Sequence, residues 1–595
     1  MKHPTYILPA YMGQGLRIDL SSHTSEIVPL DEEMAANYLG GRGFGIFLVK
    51  NYITKDPFDS EMPLVFSTGP LNNTGVYAAG RGSVISRSPL TGTIFDACFG
   101  GTFAYHLKRA GFDYLYIHGK SAAPIVVKIE NGNVTFLPGD GLWGKTTLDA
   151  HDALKRDGAT AVIGPAGENR VLFANIAIDG RYFAGRGGLG AVMGSKRLKG
   201  IVVTGDKRTR RADPTRIEAA NKDILRLFKA SPILYGPFGI RRLGTPALVD
   251  VINVRRMMPT ENFCETYFQD AHKFSGIELE KLEKKRRHGC HACPIRCKKI
   301  IKGELLQKEE VPAPEYETVS HFGALNRNND LLSIVRSNDL CNRLGMDTIS
   351  TASTLACFAE INGLDLSREA ICTMIRKIVH QNGEGEMLAF GAERYAESQG
   401  RAEAAMTVKG LELPAYDPRG SYGMALAYGT SGRGGCHLRA YPIGSEVLRK
   451  PVPTDRFTFA GKARLIKISE DINAAADSLV ACKFGLLGAS LEEYASALSG
   501  VTGIEISHQD LLRIGERIYL AERYLNSLNG FSRKDDYLPE RFYKEEGSSG
   551  ADINVPPISR NVYDDALDRY YRVRGCDSNG IPLGSKLKEL DISVT

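Results

Sequence analysis

The stretch 288–299, HGCHACPIRCKK, puts three cysteines, Cys290, Cys293 and Cys297, within eight residues. Thiolates at these spacings, two of them on one tight turn, face a common point, and Pro294 stiffens the loop. They supply three of the four soft ligands that a cubane iron–sulfur cluster requires. Working outward, the candidate for the fourth is Cys482 in ADSLVACKFGLL, 185 residues beyond Cys297. His288 and His291 leave structural zinc as an alternative, although zinc favours a paired CxxC…CxxC or CxxC…HxxxH layout. A disulfide framework is a poor reading: eleven cysteines in 595 residues is a modest, odd count, and no apolar h-region opens the chain. Most of the others (Cys98, Cys264, Cys341, Cys357, Cys372, Cys436, Cys576) read as small buried hydrophobes.

At 595 residues the chain exceeds what one core supports, so two to four domains are expected. Its net charge of +6 is too small to argue for nucleic acid. No run of about 18 apolar residues occurs, so no membrane span and a cytoplasmic location are expected. Basic residues bunch locally, in GDKRTRRADP (205–214) and in EKKRRHG (283–289) beside the cysteines. There they offset anionic thiolates or attract an acidic electron-transfer partner.

Residues 14–31 alternate about a Ser-Ser-His-Thr turn and predict a hairpin; DEEMAANYL (31–39) predicts a short helix capped by its aspartate. Glycine clusters at 39–45, 78–92, 95–104 and 182–194 punctuate strand-like runs, with further strands at 112–119, 123–129 and 199–205. From 214 the apolar period turns helical, and EEGSSGADINVPP (545–557) reads as an exposed loop. The division is 1–208, 209–415 and 416–595, with no internal repeat. Arginines among the glycine loops (Arg42, Arg81, Arg87, Arg181, Arg186) suit a broad polyanionic cofactor. GRGGLG (185–190) lacks the frame of a Rossmann site. Tight turns explain many of these glycines equally well.

LRIDL (16–20), YLGGRGFG (38–45), SRSPLTG (86–92), AGRGGLGAVMGSKRLKGIVV (184–203), CHACPIRCKK (290–299), APEYETV (313–319), LGMDTIS (344–350), GGCHLRAY (434–441), GFSRKDDYLPERF (530–542) and RGCDSNGIP (574–582) follow one another nearly end to end. In this order they resemble the aldehyde:ferredoxin oxidoreductase family, enzymes with tungsten, sometimes molybdenum, on two pyranopterins beside one 4Fe–4S cluster. The resemblance implies an α+β fold in which a β-rich N-terminal cofactor-binding base domain is followed by two mainly α-helical domains. It implies Cys290, Cys293, Cys297 and Cys482 as cluster ligands. Two pterin-binding elements correspond to Asn342–Asp347 and Asp477–Cys482, with Asn342 replacing an aspartate and Val480-Ala481 replacing Gly-Leu. Asp347, Asp477, Arg81, Gly100, Ala184, Arg186, Gly187, Gly345 and Lys483 are the implied cofactor contacts. Magnesium would bridge phosphates through carbonyls near Cys98 and Ala184. The metal takes no protein ligand in this family, which makes Cys436 a bystander.

Oxidising an aldehyde needs proton transfer beside the metal, which a carboxylate and an imidazole suit. Glu315 and Glu317 in PEYET are the carboxylate candidates; in an extended segment only one faces the metal, and the spacing from Cys297 favours Glu315. His437 and Tyr416 complete the catalytic set. The implied partners are a small aldehyde and a ferredoxin or ferredoxin-like subunit, with a homodimer as the assembly. A homologous subunit that reduces an activated acid or aromatic thioester, and a non-catalytic iron–sulfur or zinc scaffold, are the competing readings.

Overall fold

A computed structural model describes residues 8–284, 287–302, 310–366 and 368–593. Its first 204 residues carry two six-stranded sheets. The first comprises β1 (Gln14–Asp19), β2 (Thr24–Pro29), β3 (Leu64–Ser67), β4 (Gly82–Arg87), β5 (Ile94–Phe99) and β6 (Tyr114–His118), in the order β2-β1-β6-β3-β4-β5. The second comprises β7 (Ile125–Glu130), β8 (Asn133–Pro138), β9 (Ala159–Val162), β10 (Ile176–Ile178), β11 (Tyr182–Ala184) and β12 (Leu198–Thr204), in the order β8-β7-β12-β9-β10-β11.

The wiring is the same in both. Each opens with an antiparallel hairpin whose first strand pairs in parallel with the last, and the remaining pairs are antiparallel. Each fifth strand leads through a glycine turn into a helix, Phe103–Ala110 or Leu189–Ser195. The sheets share one core, in which Ile18, Leu64, Phe66 and Val84 meet Ile129, Ile163, Ile176 and Ile201. The sequence suggested no repeat, yet the topology is duplicated: strand order has outlasted the side-chain pattern.

LGGRGFG also departs from expectation. It opens the helix Gly41–Val49 and does not punctuate strands. A Cβ at Gly41 would lie 2.1 Å from the Asp477 carbonyl oxygen, and one at Gly45 would lie 2.2 Å from Ile85. The glycines serve close helix packing, which overrides their poor helix propensity.

The rest of the chain is mainly helical. Lys462–Leu479 packs on His508–Leu528, where a Cβ at Gly515 would fall 2.0 Å from the Asp471 carbonyl oxygen. Residues 545–557 form a loop, but a pinned one: Gly547 and Val555 are buried, and Ser548 N–H donates to Thr266 Oγ1 at 2.9 Å. Within the basic run 283–289, residues 285 and 286 lie outside the described residues.

Candidate functional site

An antiparallel bridge between His288 and Lys298 closes the base of the cysteine loop. Ala292 and Arg296 take left-handed backbone at φ 53° and 50°, which folds the loop back on itself. Cys482 follows the helix Lys462–Leu479, whose cap Val480 also turns left-handed, at φ 60°. One residue of the base domain ties the two stretches together. Ala78 O accepts from Cys482 N at 2.8 Å, and Ala78 N donates to Ala292 O at 3.3 Å. Cys290, Cys293, Cys297 and Cys482 therefore line one small cavity, with Gly80, Arg81 and Tyr182 among its other walls. A Cβ at Gly100 would strike Cys290 Sγ at 2.6 Å, so glycine is required there.

Neither histidine of the loop lines this cavity. His291 stacks on Tyr105 with centroids 3.9 Å apart, and His288 Nδ1 meets Arg181 Nη1 at 3.3 Å. Burial, reinforced by neighbouring thiols, pushes Cys293 up to about 12 and raises Cys290 and Cys297. Such thiols ionise only against a compensating cation, which is the donor chemistry of an iron cluster.

A cavity of about 750 Å³ adjoins the first. Arg81, Tyr182, Cys290, Cys297 and Phe484 line both. On the far wall Glu317 Oε1 stands 3.4 Å from His437 Nε2, and Glu317 Oε2 accepts from Ala415 N at 2.7 Å. Burial pushes Glu317 up to about 8, and burial with the nearby Arg186 and Arg433 drives His437 well below its usual range. Both shifts favour neutral partners, so this is a carboxylic acid beside an imidazole and not a salt bridge.

PEYET is not extended. Tyr316–Phe322 is a helix with Glu315 at its N-cap, so the two glutamates diverge by helical rotation. Glu315 accepts from Lys298 Nζ at 3.0 Å and Thr245 Oγ1 at 2.6 Å, on the cluster side of the same cavity. Tyr416 Oη lies 2.9 Å from Tyr441 Oη, both rings stand near His437, and both line the cavity. Tyr441 and Tyr182 escaped sequence reasoning; Tyr441 lies four residues after His437, and Tyr182 lies at the start of the glycine loop 182–194.

The two corresponding elements, 342–347 and 477–482, are helix C-termini capped by left-handed Gly345 (φ 84°) and Val480. The first docks on the second sheet, where Asn175 N donates to Gly345 O at 2.8 Å. The second docks on the first sheet, where Arg81 N donates to Val480 O at 3.4 Å. Among the cofactor candidates, Arg81, Gly100, Asp347 and Lys483 line the large cavity with Asn342, whereas Ala184, Arg186, Gly187, Gly345 and Asp477 do not line it. Asp347 accepts from Arg186 Nε at 3.1 Å and caps the helix Thr348–Asn362. Arg186 also donates Nη1 and Nη2 to Gly435 O and Glu412 O. Asp477 Oδ2 meets Lys483 Nζ at 2.9 Å.

A polar group of some size fits this space. Asn175 Oδ1, Glu317 Oε1 and His437 Nδ1 are buried without hydrogen-bond partners on its wall, and a Cβ at Gly185 would meet only open space. Asp96, Cys98 and Asp477 cluster within 4.8 Å of one another, but Arg42 and Arg439 approach both carboxylates, which disfavours a cation there. Burial opposes ionisation of Asp96, yet Arg439, Arg42 and Arg433 together outweigh it and hold the carboxyl low. Cys436 is buried and does not line the cavity. Its sulfur accepts from Arg433 Nη2 at 2.9 Å and Leu438 N at 3.2 Å, and Arg433 and Arg439 outweigh burial to lower it.

Two family models match: "Aldehyde ferredoxin oxidoreductase, N-terminal domain" over residues 15–205 and "Aldehyde ferredoxin oxidoreductase, domains 2 & 3" over 219–592. A tungsten-containing aldehyde ferredoxin oxidoreductase of Pyrococcus furiosus is 37% identical, over 98% of this chain and 99% of its own. Its Pyrococcus horikoshii counterpart is 38% identical with the same coverage. The WOR-like subunit of an aliphatic sulfonate oxidoreductase, also from P. furiosus, is 29% identical over 98% and 97%. Among solved structures, the active-site complex BamBC of benzoyl coenzyme A reductase with 1,5-dienoyl-CoA shares the fold at TM-score 0.84, 24% identity and 98% coverage of each chain.

Proposed function

The chain belongs to the aldehyde ferredoxin oxidoreductase family, and from that premise we propose that it oxidises aldehydes to carboxylic acids and delivers the electrons to ferredoxin. The net conversion is RCHO + H2O to RCOOH with two protons and two electrons. The observation that carries the reading is the shared wall: Cys290 and Cys297 border both the four-sulfur cavity and the cavity that holds Glu317 and His437.

When bound, a tungsten (or molybdenum) bis-pyranopterin supplies the two-electron oxidation and a 4Fe–4S cluster the one-electron exit. Cys290, Cys293, Cys297 and Cys482 would hold the cluster. Arg81, Gly100, Asn342, Asp347 and Lys483 would hold the pterins from the cavity wall, supported by Ala184, Arg186, Gly187, Gly345 and Asp477. Cys98 O, which accepts one bond from Arg81 Nη2 at 3.2 Å, keeps a lone pair for magnesium.

Once ionised, Glu317 takes the proton released as water adds to the carbonyl carbon, which returns it to the neutral form, with His437 Nε2 3.4 Å from the carboxyl group. The Tyr416–Tyr441 pair spends one O–H on its mutual hydrogen bond, leaving the second for the substrate oxygen. The buried walls exclude bulk water, so a neutral Glu317–His437 pair is the stable resting form.

Anaerobically purified protein from cells supplied with both metals tests this. About four irons with one tungsten or molybdenum per chain, and aldehyde-dependent viologen reduction, are expected. Protein with zinc in the sulfur cavity and no pterin, or activity on thioesters alone, would sink the reading.

A further inference from the structure

The sulfur cavity has a side that faces away from the large cavity. Cys290 and Cys297 line both cavities, whereas Cys293 and Cys482 line only the small one, and of these two Cys293 adjoins the clamped Pro294. Beyond Cys293 lies a turn clamped onto the cysteine loop at both ends. Tyr235 Oη donates to Pro294 O at 3.1 Å, Arg241 Nη1 donates to the same carbonyl, and the Arg241 guanidinium lies 4.8 Å over the Tyr235 ring. Between these ends the chain carries Phe238, whose side chain is 63% exposed. A large aromatic held out at the apex of an anchored turn is a surface that awaits an apolar contact.

Positive charge surrounds it. Among the described residues of 287–299, Arg287, Arg296, Lys298 and Lys299 stand with no acidic residue, and the Arg287 charge reaches Tyr235 of the clamp. Lys298 is committed to Glu315, and outside this stretch Arg242 is committed to Glu280. Arg287 and Arg296 are exposed, and neither pairs with a carboxylate among the described residues.

We propose that Phe238, Arg287 and Arg296, around Pro294 and the Tyr235–Arg241 clamp, form the docking face for an acidic one-electron carrier protein, with Cys293 on the exit side of the cluster. The proposal rests on the reading of the four cysteines as a cluster site, and it adds where the carrier sits. A carrier must bind quickly and leave quickly. A cationic rim raises the encounter rate without deep burial, and one aromatic anchor gives orientation within a small interface.

The test compares two assays on the holoenzyme: aldehyde oxidation coupled to a viologen dye, and the same reaction coupled to a small ferredoxin of strongly negative net charge. Phe238→Ala and Arg287→Glu should each lower the ferredoxin-linked kcat/KM about tenfold. The dye-linked rate should not change, and Arg287→Lys should restore the wild-type value. Raising salt from about 0.05 to about 0.5 M should narrow the gap between wild type and Arg287→Glu, because the rim acts through screened charge. Unchanged ferredoxin kinetics in both variants, or losses matched in the dye assay, would overturn the docking face. If wild type reduces no dye, the functional reading fails separately. Calorimetric titration of the ferredoxin into wild type and Arg287→Glu then still decides the surface, with weaker binding by the variant expected and equal binding overturning it.

Discussion

Glu317 and His437 approach to 3.4 Å from segments 120 residues apart, and burial strips the charge from both. This pair gives the cavity a carboxyl group placed to exchange a proton near neutral pH.

Glu317→Gln should lower kcat by about 10²–10⁴-fold, the usual worth of a positioned acid–base group, while iron and tungsten contents stay at wild-type levels. Glu315→Gln, which removes a partner of Lys298 instead, should cost less. Single-turnover rates with metal analysis on each variant check both.

The pH dependence follows from the same shift. The pair accepts a proton only after Glu317 ionises, so wild-type kcat/KM should rise toward a midpoint near pH 8. Stability runs the other way. Folded Glu317 holds its proton well above the usual carboxylate range, so the fold loses stability as pH rises from that range toward 8 and levels off beyond. Glu317→Gln should flatten both trends, seen in rate profiles and in denaturant midpoints across that window.

Cys482→Ser should deplete iron and the visible absorbance of the cluster. Cys436→Ser should keep both and cost about 1–3 kcal/mol, because the shorter side chain draws the acceptor away from the buried Arg433 guanidinium and Leu438 N–H. Iron analysis and urea titration separate the two; iron loss in Cys436→Ser would remove its standing as a structural sulfur.

Tyr416→Phe and Tyr441→Phe each break one phenol pair, so their effects on kcat/KM should not add. A double-mutant cycle should show a coupling of about 0.5–3 kcal/mol. Additive losses would mean that the hydroxyls act separately.

Arg42→Met should destabilise the fold by about 3–5 kcal/mol, since it leaves Glu522 and Asp96 with one guanidinium fewer in a dry network. Chemical denaturation of the apoprotein reads this directly.

Local spacing made the sulfurs of Cys290, Cys293 and Cys297 legible, because clustered thiolates constrain residue type and separation at once; Cys482, 185 residues on, was assigned by family resemblance, and the fold places it on the same cavity. Helical stripes such as those at 214–230 and 508–528 were legible for the same reason: the period is written locally. The Gly41–Val49 helix was not, because its glycines answer to Asp477 and Ile85, which only the tertiary fold brings near. The orientation of Glu315 and Glu317 depended on whether five residues coil or extend, and short segments take that decision from their surroundings. The twin sheets were invisible because hydrogen-bond wiring leaves no mark on side chains beyond alternation.

The guanidinium of Arg42 donates Nε at 3.0 Å to a carboxylate 480 positions downstream. Until the chain as far as Glu522 has been made, that cation lacks its closest counter-ion and has only Asp96 and Asp477 near it. Closure of this network is therefore a non-local event, one that joins the two ends of the fold and not neighbours in the chain.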